Sequence, residues 1–254
     1  MIKGEDAPKR REHGLDRAMD LMEALRRARE PMRPNELATL LGAPRSSVHE
    51  MVGRMLALGL LDAADGDGRV FLGRKLYLFG IAYLESSRGL RLAEAALERI
   101  TAETRELSQF CALDGNRYVV LRQRESARPF RISADTGQPI PIPQTASGRL
   151  LVSDLGDDEI RALIPPEDFR TPAGAPIDPD GFIAEVRAAR QAGVFSFDSM
   201  ADTFTHCFAV PVEDASGRVA ATLCIVAPID DANANRDAYV ACLKAAAEPL
   251  HGRI

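Results

Sequence analysis

The amino-acid sequence predicts an α+β protein, with a small helical head followed by a larger domain built on one antiparallel sheet. Residues 14–73 show helical periodicity followed by a hairpin pattern, and residues 90–254 show paired strand patterns flanked by helices. Residues 1–80 carry 14 basic and 12 acidic side chains, whereas the remainder carries 18 and 25. A mildly basic head on an acidic body is typical of a DNA-binding domain joined to a domain with another role.

The head begins with an amphipathic helix, because apolar residues recur at helical spacing from Leu15 to Leu25. Pro31 is expected to end this helix, since the residue before a proline is pushed out of the α region. Asn35 is expected to cap a short second helix, which Gly42 ends in the left-handed conformation. These elements are the first half of a helix-turn-helix.

A third helix follows Pro44, and its first turn, "RSSVHE", exposes hydroxyl and charged side chains. The segment "LLDAADGDGRVFLG" then predicts a β-hairpin, which makes the head a winged helix that enters a DNA groove. Glu50 is unusual there, and either accepts a hydrogen bond from cytosine or points away from DNA. A helical bundle that binds protein is the alternative. The predicted DNA-binding residues are Arg17, Arg45, Ser46, Ser47, His49, Glu50, Arg54 and Arg69.

Residues 74–89 predict a linker helix that is apolar over much of its circumference and ends at Gly89. Such a helix needs two partners, which we interpret as its own domain and a second subunit; an ordinary core helix is the alternative. The expected domains are therefore 1–73, the linker 74–89, and 90–254.

The body predicts a long helix over "LRLAEAALERITAETRELSQF", residues 90–110, with Leu107 on its inner stripe, and then two strands joined by the turn Asp114-Gly115-Asn116. Prolines exclude helix until Thr145, where Thr145 or Ser147 caps a helix that runs to Leu155. Further helices are expected at 157–164, 180–192 and about 233–251. Strands are expected in "VFSFD" and on both sides of the turn in "HCFAVPVEDASGRVAATLCIVAP". Together these elements predict one central antiparallel sheet flanked by helices.

Two segments carry a specific resemblance: "ISADTGQPIPIPQTASGRLL" and "RQAGVFSFDSMADTFTHCFAVPVEDASGRVAATLCIVAP". With the winged helix and linker, they resemble the IclR family of bacterial transcriptional regulators in order and spacing, over nearly the whole chain. The resemblance implies a C-terminal GAF-like domain that binds a small-molecule effector, often an organic acid. It also implies a homodimer or a dimer of dimers on double-stranded operator DNA.

The hairpin at the end of the body allows part of an effector pocket to be argued from geometry. A two-residue turn at Ala215-Ser216 would place Cys207 opposite Cys224, and Thr205 opposite Val226. This face is small and mildly polar, whereas the other carries large apolar side chains. From geometry alone, simple packing of these residues under a helix is slightly favoured over a binding role.

The resemblance favours a pocket, and implies that its walls include Ile132, Ile140, Ala146, Ser147, Phe197, Thr205, Cys207, Cys224 and Val226. In the family, the loop matching Ala146 and Ser147 offers backbone N–H groups to a ligand carboxylate, which a helix N-terminus suits. Phe197 and Val226 stand where polar residues are common in family members that bind small polar acids. We therefore expect an aromatic or otherwise apolar carboxylate rather than a glyoxylate-sized one.

Other functional classes are less well supported. His206 and Cys207 are adjacent on a strand and point to opposite faces, so they cannot act as a nucleophile and base, and no catalytic motif is present. We expect no enzyme, cofactor or metal site. A thiol-based redox sensor is the alternative, through a strained Cys207–Cys224 disulfide. The charged N-terminus and the absence of a long apolar run predict a cytoplasmic protein without a membrane span.

Overall fold

A computed structural model describes residues 14–64, 66–125 and 136–254, so Asp65 in the predicted wing turn lies outside the described residues. The chain divides into two compact units between Ser86 and Ser87, within the predicted linker segment. None of the described helices is both long and apolar enough to cross a lipid bilayer.

The described part of the N-terminal unit follows the predicted order of three helices, a hairpin and a further helix. Its elements are α1 (Gly14–Ala28), α2 (Pro34–Leu40), α3 (Arg45–Ala57), β1 (Leu61–Ala63), β2 (Val70–Leu72) and α4 (Arg74–Ser86). The two strands are antiparallel, with Leu61 opposite Leu72. A single core joins α1, α2, α3, β1 and β2, in which Leu25, Leu37, Val52 and Val70 are buried. A winged helix-turn-helix is therefore formed, as predicted.

The cap of α2 differs from the prediction. Pro34 is the first helical residue, and the backbone N–H of Arg33 donates to Glu36 Oε2 at 2.8 Å. Proline suits this position because its fixed φ matches a helix and its missing N–H has no helical partner there. Asn35, the predicted cap, instead lies inside the helix with its Oδ1 3.1 Å from His49 Nε2.

The prediction that Gly89 ends the linker helix is also wrong. Helix α4 ends at Ser86, and α5 (Arg88–Thr104) begins at once, with Ser87 Oγ accepting from the Leu90 backbone N–H at 3.2 Å. Gly89 lies in the first turn of α5, where an added Cβ would be 2.9 Å from the carbonyl oxygen of Arg253. The glycine therefore allows the C-terminus to pack closely on α5 rather than ending a helix.

The C-terminal unit contains one six-stranded antiparallel sheet within the described residues, in the order β5-β4-β3-β8-β7-β6. The strands are β3 (Leu107–Asp114), β4 (Arg117–Arg124), β5 (Ile140–Pro141), β6 (Phe195–Asp198), β7 (Thr205–Glu213) and β8 (Val219–Pro228). The helices that follow α5 are α6 (Ala146–Leu151), α7 (Asp157–Leu163), α8 (Pro179–Ala192) and α9 (Ile229–Ala247), with short 3₁₀ turns at 142–144, 166–168 and 248–250. The predicted α+β class is confirmed.

Three boundaries in this unit differ from the prediction. Arg105 adopts the left-handed conformation (φ 63°) and ends α5, so Leu107 begins β3 instead of lying on the inner stripe of the helix. Helix α6 ends at Leu151 rather than Leu155, and α9 begins at Ile229, four residues before the predicted start. The apolar periodicity of a segment does not mark the end of its helix to within a few residues.

The two faces of the sheet have different roles. One face, with Phe208, Leu223 and Ile225, packs against α5 and α9 in the largest core of the unit. The opposite face, with Cys111, Ala209 and Cys224, packs against α6. This alternation follows the two-residue period of the strands. It leaves the smaller side chains on the face toward α6, where a cavity lies.

Candidate functional site

Helix α3 presents the exposed face expected of a DNA-reading helix. Arg45, Ser46, His49, Glu50 and Arg54 are exposed, whereas Ser47 is half-buried. In the part of the chain that the structure describes, the side chains of Arg45 and Arg54 have no hydrogen-bond or ion-pair partner. His49 is held against α2 by its contact with Asn35. Arg17 on α1 is half-buried and lines a small groove together with Ser47, so α1 and α3 present these two residues side by side.

Arg69 lies at the start of strand β2 in the wing. Its Nε is 3.3 Å from Asp67 Oδ2, and the same carboxylate oxygen accepts from Arg33 at 3.0 Å. Asp67 therefore ties the wing to the turn before α2. Its carboxylate also neutralises part of the positive charge of Arg33 and Arg69. All eight predicted DNA-binding residues lie on α1, α3 and the wing, and which of them contact DNA stays a prediction.

A cavity of about 200 Å³ opens on the sheet face toward α6. Eight of the nine predicted effector residues line it, and Ile132 lies outside the described residues. The eight come from three regions of the unit: Ile140 on β5, Ala146 and Ser147 on α6, and Phe197, Thr205, Cys207, Cys224 and Val226 on β6, β7 and β8. The structure thus gathers positions that span nearly ninety residues of sequence around one space.

The walls of this cavity are mainly apolar. Ten further residues, which the sequence did not predict as part of the site, also line it: Leu107, Gln109, Tyr118, Val120, Gln144, Thr145, Pro172, Ser199, Ala201 and Asp202. Two-residue alternation would have placed Leu107 with Gln109, and Tyr118 with Val120, on one face. No local signal pointed to Asp202. Among the described lining residues there is no Lys or Arg, and Asp202 is the one acidic side chain.

Polar groups concentrate where α6 begins. Thr145 Oγ1 accepts from the backbone N–H of Gly148 at 3.0 Å, so Thr145 is the N-cap, one of the two predicted caps. Gly148 is required here because a Cβ would overlap the carbonyl oxygen of Ile142. Ser147 Oγ lies 2.8 Å from Cys224 Sγ and accepts from Thr222 Oγ1 at 2.9 Å, which ties α6 to β8. The first-turn N–H groups of Ala146 and Ser147 have no acceptor within the helix.

The segment between β6 and β7 closes one side of the cavity and is organised by Asp202. The Asp202 carboxylate accepts from the backbone N–H of Phe204 at 3.0 Å and of Thr205 at 2.8 Å, and from Thr205 Oγ1 at 2.7 Å. Partial burial acts to raise the pKa of Asp202, but these hydrogen bonds together lower it below its ordinary value. Asp202 is therefore ionised and already well supplied with donors.

The predicted register of the β7–β8 hairpin is wrong. Cys207 pairs with Val226, Thr205 with Pro228, and Cys224 with Ala209, so Cys207 and Cys224 are not opposite one another. The connection is not a two-residue turn but the segment 214–218, where Asp214 Oδ1 accepts from the Ser216 N–H at 2.7 Å. The register shift is two residues, so every side chain keeps its predicted face.

The cysteines are all free thiols in the structure. Burial raises the pKa of the Cys207 thiol to about 12, so its nucleophilic thiolate is scarce at neutral pH. Burial also raises the pKa of Cys111, which accepts from Tyr118 Oη at 2.9 Å, whereas a hydrogen bond with Cys111 lowers the pKa of Cys224. Without direct pairing of Cys207 and Cys224, the redox alternative loses its geometric basis.

His206 and Asp198 lie on the other face of the sheet from the cavity. His206 Nδ1 is 2.7 Å from Asp198 Oδ1, and the imidazole ring packs 4.7 Å from the ring of Phe208. His206 therefore belongs to the face that packs against α9, as strand alternation predicts. A Cys207–His206 pair is excluded by this arrangement.

Both units match known proteins. Residues 81–251 match the family model of the bacterial transcriptional regulator IclR C-terminal domain, and residues 14–64 match the IclR helix-turn-helix domain. The HTH-type transcriptional regulator KipR of Bacillus subtilis is 27% identical over 192 residues, which cover 75% of this chain and 76% of that protein.

Solved structures show the same fold. A putative ICLR transcriptional regulator from a Silicibacter species superposes with a TM-score of 0.83 at 19% identity, covering 94% of each chain. An IclR homolog from Microbacterium hydrocarbonoxydans, crystallised with 4-hydroxybenzoate, superposes with a TM-score of 0.76 at 24% identity, covering 94% of this chain and 98% of that one.

Proposed function

Because the chain belongs to the IclR family of bacterial transcriptional regulators, we propose that it is a ligand-responsive regulator whose C-terminal unit binds an aromatic or otherwise apolar carboxylate. Its relatives are DNA-binding regulators, and the family is not enzymatic. The observation that carries the proposal is the cavity beside α6, because eight predicted effector positions surround it and its walls are mainly apolar.

The composition of the cavity favours a flat apolar acid over a small polar one. Phe197, Ile140 and Val226 offer carbon surface that stabilises a ring by about 25 cal/mol for each Å² of apolar area removed from water. No described lining residue is a cation, so we place the carboxylate near the hydroxyl of Ser147 and the first-turn N–H groups of α6. The homolog crystallised with 4-hydroxybenzoate shows that a protein of this fold holds a ligand of this class.

We assign DNA binding to the exposed face of α3, with Arg45 and Arg54 contacting phosphates and Ser46 and Ser47 close to the bases. We place Arg17 and Arg69 against the sugar-phosphate backbone of the DNA, on either side of α3. Glu50 is exposed on the same face. Its carboxylate accepts a hydrogen bond from a cytosine amino group where the operator offers one, and weakens DNA binding at other bases.

We assign self-association to α4. No residue of this helix is buried, and its large side chains Tyr77, Leu78, Phe79 and Tyr83 are 56–70% exposed. Four such side chains on one helix form an apolar surface that a monomer leaves in water at a cost. A second copy of the chain is the occupant we propose, since a two-fold dimer buries the same patch on both subunits.

The test is the melting temperature of the full chain with a panel of millimolar acids: benzoate and 4-hydroxybenzoate on one side, glyoxylate and pyruvate on the other. A ligand at 100 times its dissociation constant adds about 2.7 kcal/mol of stability. We expect the aromatic acids to raise the melting temperature. A shift with the small polar acids alone, or with no acid, would contradict the proposal.

A pair of variants ties the shift to the cavity. Cys207→Phe places a ring inside the cavity and should abolish the shift, because the ligand loses its space. Leu121→Phe adds the same ring on β4 at a partly exposed position outside the lining, and should leave the shift unchanged. Equal shifts in both variants would place the ligand elsewhere.

A further inference from the structure

Arg149 on α6 is the largest fully buried side chain among the described residues, with 2% of its surface exposed. Arginine is rarely buried without a specific set of partners, because removal of its charge from water is costly. Arg149 does not line the cavity, and neither the sequence patterns nor the family comparison assign it a role. Its partners, however, are the segments that build two walls of the cavity.

Four of the five N–H groups of the Arg149 guanidinium donate hydrogen bonds. Nη1 donates to the carbonyl oxygens of Pro143 at 2.7 Å and Thr145 at 2.8 Å, while Nε and Nη2 donate to Glu185 Oε2 at 3.0 and 2.8 Å. The two carbonyls belong to the turn that leads into α6, and Glu185 belongs to α8. Arg149 therefore fixes the turn that carries Thr145 and leads directly into the first turn of α6, where Ser147 lies.

The flat faces of the same guanidinium are covered by aromatic rings. Its central carbon lies 5.0 Å from the ring centroid of Phe197, 5.1 Å from Phe195 and 4.8 Å from Phe182. Phe195 and Phe197 belong to β6, which is an edge strand of the sheet and pairs only with β7 in the described structure. Cation–π contacts of a desolvated arginine hold such rings in place.

We propose that Arg149 is a positioning residue for the effector cavity: it fixes the separation between Phe197 and the Thr145–Ser147 wall, and so makes the cavity selective for flat aromatic acids. The inference rests on the proposed function. One planar group bridges both walls, since its edge holds the α6 turn and its face holds the Phe197 ring. A shift of either wall by about 1 Å would spoil a fit that depends on preorganised geometry.

Lysine tests this role well, because it keeps the charge but lacks the planar fork. Arg149→Lys can pair with Glu185 but cannot at once donate to two carbonyls and stack on three rings. Arg149→Met removes the charge as well. The geometric role predicts that both variants bind aromatic acids more weakly, whereas a role of charge alone predicts that the lysine variant keeps wild-type affinity.

Arg187 on α8 offers a matched control. It too donates to two carbonyl oxygens, those of Ser153 at 3.1 Å and Leu155 at 2.7 Å, and pairs with Asp157 at 3.1 Å through Nε. None of these partners lines the cavity. Arg187→Lys therefore removes a similar clamp from the same unit without touching the two walls.

The experiment is calorimetric titration of the full chain and of R149K, R149M and R187K with benzoate and 4-hydroxybenzoate. R149K and R149M should weaken aromatic binding about tenfold, which is 1.4 kcal/mol. R187K should keep the dissociation constant within about threefold of the wild-type value. This holds even if the melting temperature of R187K falls as far as that of the Arg149 variants. Wild-type affinity in R149K, or equal weakening in R149K and R187K, would overturn the positioning role.

A second readout needs no ligand and separates this inference from the proposed function. The ¹⁹F NMR signal of 4-fluorophenylalanine, incorporated in place of Phe197, reports the environment of that ring. We expect R149K to shift or broaden the signal and R187K to leave it unchanged. If the wild type binds neither acid, the proposed function fails. An unchanged ¹⁹F signal in R149K is sufficient to refute the positioning of Phe197 by Arg149, whether or not an acid binds.

Discussion

Replacement of Asp202 by alanine should destabilise the C-terminal unit by about 3 kcal/mol, because the buried Thr205 loses its partners. Thr205 is 1% exposed, and both its N–H and its hydroxyl donate to the Asp202 carboxylate. A buried polar group left without a partner costs about 1–3 kcal/mol. The Phe204 N–H, the third donor, lies on an exposed residue where water replaces the carboxylate at little cost.

Asp214 provides the comparison. Its carboxylate also accepts from a backbone N–H and a hydroxyl, both of Ser216, but these donors are exposed. Asp214→Ala should therefore cost about 1 kcal/mol or less, since water satisfies the donors. The difference between D202A and D214A isolates the effect of burial from the effect of an aspartate in a turn.

The assays are urea denaturation and thermal melting, both followed by far-UV circular dichroism, since the chain contains no tryptophan. For a domain of this size, 3 kcal/mol corresponds to a fall in melting temperature of roughly 6–12 °C. Equal losses in D202A and D214A would refute the reasoning. The pH dependence gives a second check: because the Asp202 pKa is lowered, its contribution is present above about pH 4 and is lost as the pH falls through the lowered pKa. D202N should reduce this loss of stability at acid pH, because asparagine does not titrate.

Three further predictions concern the other sites. Arg45→Ala and Ser47→Ala should weaken operator binding without changing acid affinity, and loss of one phosphate contact at Arg45 should reduce the salt slope by about 0.9; a parallel fall in acid affinity would contradict the division of labour. Cys207 should react slowly with iodoacetamide at pH 7 and faster as the pH approaches its pKa of about 12, with peptide mass spectrometry as the measurement; rapid alkylation at pH 7 would be the contrary result. Tyr77→Asp combined with Phe79→Asp should lower the molar mass seen by light scattering, and an unchanged mass would exclude α4 as the contact.

Much of the fold could be predicted because it depends on local patterns. Leu25, Leu37 and Val52 mark helical faces that bury together, and the two-residue period of β7 and β8 separates Phe208 from Cys207. The face assignment survived a wrong register because the error was two residues, an even number.

What could not be predicted depends on a choice between allowed local arrangements or on contacts distant in sequence. The hairpin register depends on the Asp214 carboxylate, which organises a five-residue connection that the sequence also allows to be a tighter turn. The start of α5 depends on Ser87 and on how closely Gly89 meets the C-terminus. The role of Arg149 depends on three phenylalanines that lie 33 to 48 residues further along the chain.

The central claim is that an acid bound in the C-terminal unit changes operator affinity. The direct test is fluorescence anisotropy of a DNA fragment that the protein itself selects from a random-sequence library, titrated with and without saturating aromatic acid. Coupling of 1–3 kcal/mol between two sites predicts a change of about 5- to 150-fold in the dissociation constant for DNA. Cys207→Phe should remove this change and keep DNA binding. A dissociation constant that stays the same at saturating acid would contradict the account.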